Sequence, residues 1–237
     1  MIKMVLPDNF IKNWQIKDYD FVQQFKSKKN QVLKLKVITK NNEEHFLVCK
    51  SFTNYRKYYQ ELSTLNKLSK IDAPVPRLLY SSNKIIITEY IDGFLLVDEL
   101  FKGGNSLINE LGKTLERVYN ALAVDSYKNN VILGDMNLRN FIIDKNKNKI
   151  YRLDFESVEK GHLSKDIGKL CAFCISYDPP FTDYKLNLTK ELFDYFKNRF
   201  LLSSSFITNE VLIELSNIEK RREIVVPEKV KYNIYKW

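Results

Sequence analysis

A run of about 18 apolar residues, the length that crosses a bilayer, is absent from this chain, which excludes a membrane-spanning helix. The opening segment, MIKMVLPDNFIKNW, has no apolar core followed by a small-residue cleavage site, so secretion is not expected. Cysteine is scarce. Cys49, Cys171 and Cys174 are too few for a disulfide scaffold and fit a reducing, cytoplasmic setting. The last two have CxxC spacing, but no second pair accompanies them and the chain has only two histidines. They lie in the apolar, helix-like run GKLCAFCISY and read as one turn of buried small residues rather than a zinc or redox site. Internal repeats and low-complexity segments are missing as well.

What is present is enough for a packed core. Hydrophobic residues make up 44% of the 237, which argues against disorder, and this length suits one large domain or two small lobes sharing a cleft. The net charge of +9 is unevenly placed: residues 1–90 carry 16 Lys and Arg against 8 Asp and Glu, and the remainder 22 against 21. A basic first third suits nucleic acid, anionic lipid or phosphorylated substrates, with a generic lysine-rich surface as the competing reading.

The densest chemistry lies between residues 130 and 156, NVILGDMNLRNFIIDKNKNKIYRLDFE. Two apolar runs, residues 141–143 and 150–153, flank the polar turn DKNKNK and predict a hairpin. Asp135 and Asn140 precede the first strand, and Asp154, Phe155 and Glu156 follow the second. A hairpin brings these oxygen-bearing side chains to one end. Phosphoryl transfer needs such a set: one carboxylate near the attacking hydroxyl, and hard oxygen ligands for magnesium. A capped turn alone would account for either half of the pattern, but less well for both halves flanking one hairpin.

At these residues the chain resembles the kinase superfamily, in the branch of the aminoglycoside phosphotransferases, lipopolysaccharide kinases and RIO-like proteins. That branch carries H-G-D-x-x-x-x-N, a hairpin, then D-[FW]-[GE]; here Gly134-Asp135, Asn140 and Asp154-Phe155-Glu156 stand at the same spacing. The resemblance implies Asp135 as catalytic base, Asn140 and Asp154 as metal ligands, and ATP and Mg2+ as cofactors. Leu133 stands where the motif has His, Glu156 where protein kinases have Gly, and Asn137 where protein kinases have Lys two residues after the base. None of these removes a group that the small-molecule branch needs.

Upstream, residues 20–25, 32–38 and 45–50 predict a three-strand meander, with Leu33, Leu35 and Val37 on one face of the second strand. Lys50 ends the third strand, where the resemblance implies a lysine reaching the nucleotide phosphates. The turn at residues 27–30, expected to cover those phosphates, contains no glycine, and Lys28 and Lys29 are either phosphate contacts or solvated turn residues. Residues 53–70 predict a helix with Tyr55, Tyr58, Leu62, Leu65 and Leu68 as its apolar stripe. Glu61, its only acid, is the expected ion-pair partner of Lys50, or else an exposed residue pairing with Lys57. Pro74 and Pro76 break the helix; strands at 77–80 and 84–88 lead into Glu89-Tyr-Ile-Asp-Gly93, which is similar to the hinge of this superfamily. Glu89, Tyr90 and Ile91 are the implied ATP-binding residues there, Tyr90 and Ile91 through their backbone, with Gly93 turning the chain into a second lobe.

Beyond the hinge the pattern is helical: residues 95–101, ended by Gly103-Gly104, then 106–122, and, past the hairpin, 163–177. The resemblance implies that Asp166, at the start of the last of these, supports the catalytic-loop backbone; a helix cap is the other reading. Only residues 157–165 separate D-F-E from that helix, which leaves no room for a long activation segment. Two amphipathic helices are expected at about 185–202 and 209–222. The tail VVPEKVKYNIYKW, with basic and aromatic residues interleaved, reads as a nucleic-acid contact, an ordered strand or a docked tail.

The resemblance therefore implies an α+β, bilobal protein-kinase-like fold, with an N-lobe over residues 1–90 and a helical C-lobe over 91–237. The implied activity is transfer of the ATP γ-phosphoryl group to a hydroxyl of a small molecule or glycan. An RNA-associated ATPase or atypical kinase, like the kinase subunit of the KEOPS complex, and an inactive kinase-fold scaffold are the alternatives. Nucleic acid is a possible partner and not the favoured one.

Overall fold

A computed structural model of the chain describes residues 6–123, 131–145 and 149–237. The middle of the DKNKNK turn, 146–148, lies outside the described residues, as does Asn130. The architecture is α+β. It begins with a short helix α1 (Asp8–Asn13) and continues into β1 (Ile16–Phe25), β2 (Gln31–Thr39), β3 (Glu44–Ser51), α2 (Tyr55–Ser69), β4 (Leu78–Ser82) and β5 (Ile85–Glu89). These five strands form one antiparallel sheet in the order β1-β2-β3-β5-β4.

The alternation in β2 decides what each face of the sheet does. Leu33, Leu35 and Val37 point to one face with Leu47, Cys49 and Ile87, where they are covered by Leu6, Phe10 and Ile16. Opposite-parity residues face the other way, and the register pairs Lys50 with both Val32 and Ile86. β1 is an edge strand, almost wholly exposed, with Lys17, Asp18, Asp20, Gln23 and Gln24 among its ten residues, polar groups that discourage pairing with another chain. It starts at Ile16, four residues before the stretch its sequence suggests, because an edge strand has no buried face to impose alternation. Asn83 and Lys84 both adopt positive φ (47° and 64°), the geometry of a tight hairpin between β4 and β5.

After β5 the chain is mainly helical. It runs through β6 (Gly93–Leu95), α3 (Leu96–Leu100), α4 (Ser106–Ala123), β7 (Val131–Ile132), a 3-10 turn (Leu138–Asn140), β8 (Phe141–Asp144) and β9 (Ile150–Arg152). It ends in β10 (Glu159–Lys160), α5 (Leu163–Ser176), α6 (Asp183–Arg199), α7 (Ser204–Arg222) and α8 (Glu228–Tyr235). The predicted hairpin is β8–β9, extended by β6 into a three-stranded sheet. Gly93 is needed less for turning than for closeness: a Cβ there would lie 2.2 Å from the Ile143 carbonyl oxygen across the β6–β8 pairing. Helix α5 is buried along most of its length, and Cys171 and Cys174 are free thiols inside it, pushed up in pKa by burial (Cys174 to about 12), unlike reactive or metal-binding cysteines.

Residue 90 does not divide the apolar packing. Phe52, Tyr58, Leu65, Leu68 and Ile86 belong to the same continuous core as Leu111, Leu115, Ile167, Leu170 and Phe193. Helix α2 thus bridges the sheet and the helical part. The tail is docked, not a strand: it forms helix α8, which buries Val230 and Ile234 one helical turn apart and brings Trp237 edge-on to Phe193.

Candidate active site

The loop from Leu133 to Asn140 is shaped by buried side chains below it. Asp166, fully buried near the start of α5, accepts from the backbone N–H of Leu133 (2.6 Å) and Gly134 (3.0 Å) and from the Tyr119 hydroxyl (2.7 Å). Burial raises its pKa, and these three donors partly offset the rise. Asp166 is not the cap of its helix; His162 is, with its Nδ1 accepting from the Ser164 N–H. Gly134 has φ +77°, and a Cβ on it would meet the Ser157 carbonyl oxygen at 2.2 Å, so glycine is required there on both counts.

Arg152 is the support that sequence reasoning missed. It is the largest fully buried side chain among the described residues, and its guanidinium donates to the carbonyls of Asp135 (2.6 Å) and Asn140 (3.4 Å). One cation therefore ties both ends of the loop together. Burial lowers its pKa, opposed by the carboxylates of Asp154, Asp135 and Asp166 around it. The available signal was an arginine in the otherwise apolar strand I-Y-R-L. Asn137 is also a loop-former: its Oδ1 accepts from the Arg139 N–H (3.0 Å) and the Tyr177 hydroxyl (2.5 Å). Tyr177 in turn accepts from the Leu138 N–H.

These contacts hold Asp135 and Asn140 at the mouth of the β8–β9 hairpin. Asp135, half-buried, uses Oδ1 to accept from the Asn137 N–H at 3.1 Å. The Leu153 N–H donates to the Asn140 carbonyl at 2.9 Å, so Asp154 begins one residue beyond a cross-hairpin pair. The Asn140 Nδ2 is buried without a hydrogen-bond partner among the described residues.

Lys50 forms the second half of the site. Its ammonium lies 2.6 Å from Glu61 Oε2, 3.2 Å from Asp154 Oδ1 and 3.8 Å from Glu156 Oε2. β3, α2 and the segment after β9 each deliver a group to this point. Glu61 is buried, and Lys57 does not pair with it but donates to the Glu156 carbonyl at 2.8 Å. Burial would depress the Lys50 ammonium; the surrounding carboxylates, Glu61 first, more than offset this and leave its pKa raised. Glu61 is pushed by burial to about 7, with Lys50 pulling the other way. Asp154 is opposed by burial too, but Lys50, the Glu156 N–H and Arg152 hold it below the ordinary carboxylate range. One carboxylate oxygen from each of Glu61, Asp154 and Glu156 lies within 4.8 Å of the other two.

A further link joins the site to the glycine-free turn. Asn30 Nδ2 donates to Glu156 Oε2 at 2.7 Å, while the Lys29 carbonyl accepts from the Thr53 hydroxyl. The β1–β2 turn is thereby fastened to the D-F-E segment across 126 residues of sequence. Neither Asn30 nor Glu156 stood out for this in the sequence.

At the hinge the backbone is partly committed. The Tyr90 N–H donates to the Phe46 carbonyl (3.1 Å), so antiparallel pairing with β3 continues one residue past β5. Glu89 closes a ring with Arg77, its N–H donating to the Arg77 carbonyl and its carboxylate accepting from the Arg77 N–H. Ile91 is buried beside them. A groove of about 400 Å³ lined by Trp14, His45, Arg77 and Glu89 lies at this end of the sheet and contains neither Lys50 nor Asp135. No family model matches the chain, and no curated protein matches it.

Proposed function

We propose that the chain is an ATP-dependent phosphotransferase of protein-kinase-like, bilobal fold, acting on a hydroxyl of a small molecule or glycan. The observation that carries this reading is the meeting of Lys50, Glu61 and Asp154 at 2.6 and 3.2 Å, from segments up to 104 residues apart. Lys50 is the phosphate-steadying cation, oriented by Glu61, and a buried ion pair of this kind is costly unless it serves a bound ligand or a fixed geometry.

The residues fit magnesium and ATP. Three carboxylates crowd one ammonium, an excess of negative charge that a divalent cation balances, and their oxygens are the hard donors magnesium prefers. Asn140 stands at the same end of the hairpin, and its Oδ1, not the Nδ2 that lacks a hydrogen-bond partner among the described residues, is the atom that could ligate a metal. Asp154 and Asn140 would hold the metal. Asp154 is the most open of the three acids around Lys50, with a third of its side chain exposed. Bound there, Mg-ATP supplies the transferable phosphoryl group and the cationic charge that neutralises it. Asp135 orients the acceptor hydroxyl and takes its proton, held in place through its own carbonyl by Arg152 and through its carboxylate by the Asn137 N–H. With the Tyr90 amide committed, the Ile91 amide and the hinge carbonyls take the base edge.

Thermal-shift titration with Mg-ATP tests the reading. Stabilisation of the wild type that is weakened at least ~10-fold in apparent affinity by Asp154→Asn is expected, since removing a charge-assisted contact costs about that much. A well-folded wild type that shows no shift at millimolar Mg-ATP contradicts it.

A further inference from the structure

Beside the candidate base lies a compact group of cations not used by the chemistry above. Lys169, on α5, donates to the carbonyl of Gly134, the residue before Asp135, at 2.6 Å. Lys57, on α2, reaches the Glu156 carbonyl at 2.8 Å. Lys165 is paired with Glu159 at 2.9 Å.

The backbone keeps this group at a fixed distance from the loop. β10, which carries Glu159 and Lys160, pairs with β7, which runs directly into Leu133 and Gly134. The Ser157 carbonyl packs so closely on Gly134 that no Cβ would fit between them. Glu159 is then a half-exposed carboxylate held among these ammoniums. Its acidity is strengthened first by the Lys165 hydrogen bond, against some burial, and further by the charges of Lys165, Lys169 and Lys57. The cluster already holds an anion. Glu210 and the buried Asp166 are the other acids close to Lys165.

We infer that the phosphoryl acceptor carries an anionic group, a phosphate or carboxylate, which Lys165 and Lys169 receive beside Asp135 in the place where Glu159 now sits. This rests on the phosphotransferase reading and deepens it by assigning the acceptor's charge. Lys169 spends one of its three N–H donors on Gly134 and Lys165 one on Glu159, so both retain donors for a ligand oxygen. A cationic acceptor such as an aminoglycoside is disfavoured by the same charges. The cations surround one carboxylate rather than forming a stripe, which fits a small molecule better than a nucleic-acid backbone.

The test uses the full chain saturated with magnesium and a non-hydrolysable ATP analogue, so that the nucleotide site is filled. Inorganic phosphate is titrated by calorimetry against chloride at matched ionic strength. Wild-type protein should bind one phosphate. Lys165→Gln and Lys169→Gln should each weaken it about 10-fold, the effect of losing one hydrogen bond to a charged group. Glu159→Gln should tighten it by removing the competing anion, and analogue affinity should be the same in all four proteins. A wild type that binds the analogue but not phosphate, or lysine variants that bind phosphate as the wild type does, overturns the acceptor assignment alone. A wild type that fails to bind the analogue contradicts the phosphotransferase reading and takes the acceptor assignment with it. If a tRNA transcript displaces phosphate at physiological salt with steep salt dependence, the cluster belongs to nucleic acid and the small-molecule assignment falls.

Discussion

Glu61 is where burial and charge oppose each other most strongly among the residues around Lys50, and the balance is measurable. Its folded-state pKa of about 7 stands above the ordinary 4.5. Between those values the folded chain holds a proton that the unfolded chain has released, so the contribution of Glu61 to stability is fully present below pH 4.5 and is lost as pH rises through about 7. Lys50 contributes no slope in that window, because its pKa is raised and it stays charged, and Asp154 is already ionised. Melting temperature measured from pH 5 to 8 should therefore decline in the wild type and flatten in Glu61→Gln; parallel curves would show that Glu61 is not the titrating group. Arg152 predicts a larger effect. Arg152→Met removes the cation that bridges the Asp135 and Asn140 carbonyls and leaves Asp154 and Asp166 without it, which should cost about 3–5 kcal/mol in denaturant unfolding. Neither effect is legible in sequence, where Glu61 is one acid on a helix and Arg152 one base in a strand; both depend on groups brought together from distant segments.

Among the elements, those with a strong period were readable and those without one were not. β2 alternates because one of its faces is buried, α2 has its stripe, and the β8–β9 hairpin is bounded by polar turn residues. The helical stripe differs in part from its expected course: Tyr55 is exposed, and Glu61 and Thr64 are buried, Glu61 against Lys50 and Thr64 with its hydroxyl donating back to the Gln60 carbonyl. The two-residue strands β7 and β10 carry no pattern at all, and α8 was masked by the interleaved lysines and tyrosines that form its solvent side. The β1–β2 turn was located, but its attachment to Glu156 was not, since nothing local marks a contact 126 residues away. That attachment predicts a local effect. Asn30→Ala should speed amide hydrogen exchange over residues 26–30 while changing global stability by no more than about 1 kcal/mol, the usual worth of one hydrogen bond. Unchanged exchange in that turn would mean that the Asn30–Glu156 contact does not restrain it.

At the scale of the whole molecule, the continuous core couples the sheet to the helices. Ile234 is wholly buried in it near the C-terminus, and Ile234→Ala should cost about 2–5 kcal/mol in a single cooperative transition, without a separately melting tail. The same continuity lets one site draw Lys50 from the sheet, Glu61 from α2, Asp135 from the loop after β7 and Asp154 from beyond β9. The order of these groups was legible in the sequence; the meeting of Glu61 and Asp154 at Lys50, and of Asp154 and Asp135 around Arg152, is what the structure adds. Under the proposed function, this arrangement transfers phosphoryl groups with Asp135 as base. Its most direct test is the rate of phosphate transfer from γ-labelled ATP, to acceptor or to water, in wild type and Asp135→Asn, with melting temperature and Mg-ATP affinity measured on the same preparations. The account predicts a rate at least ~10²-fold lower in the variant, the lower range for a positioned acid–base group, with fold and nucleotide affinity unchanged. An intact Asp135→Asn protein that turns over as the wild type does would contradict it.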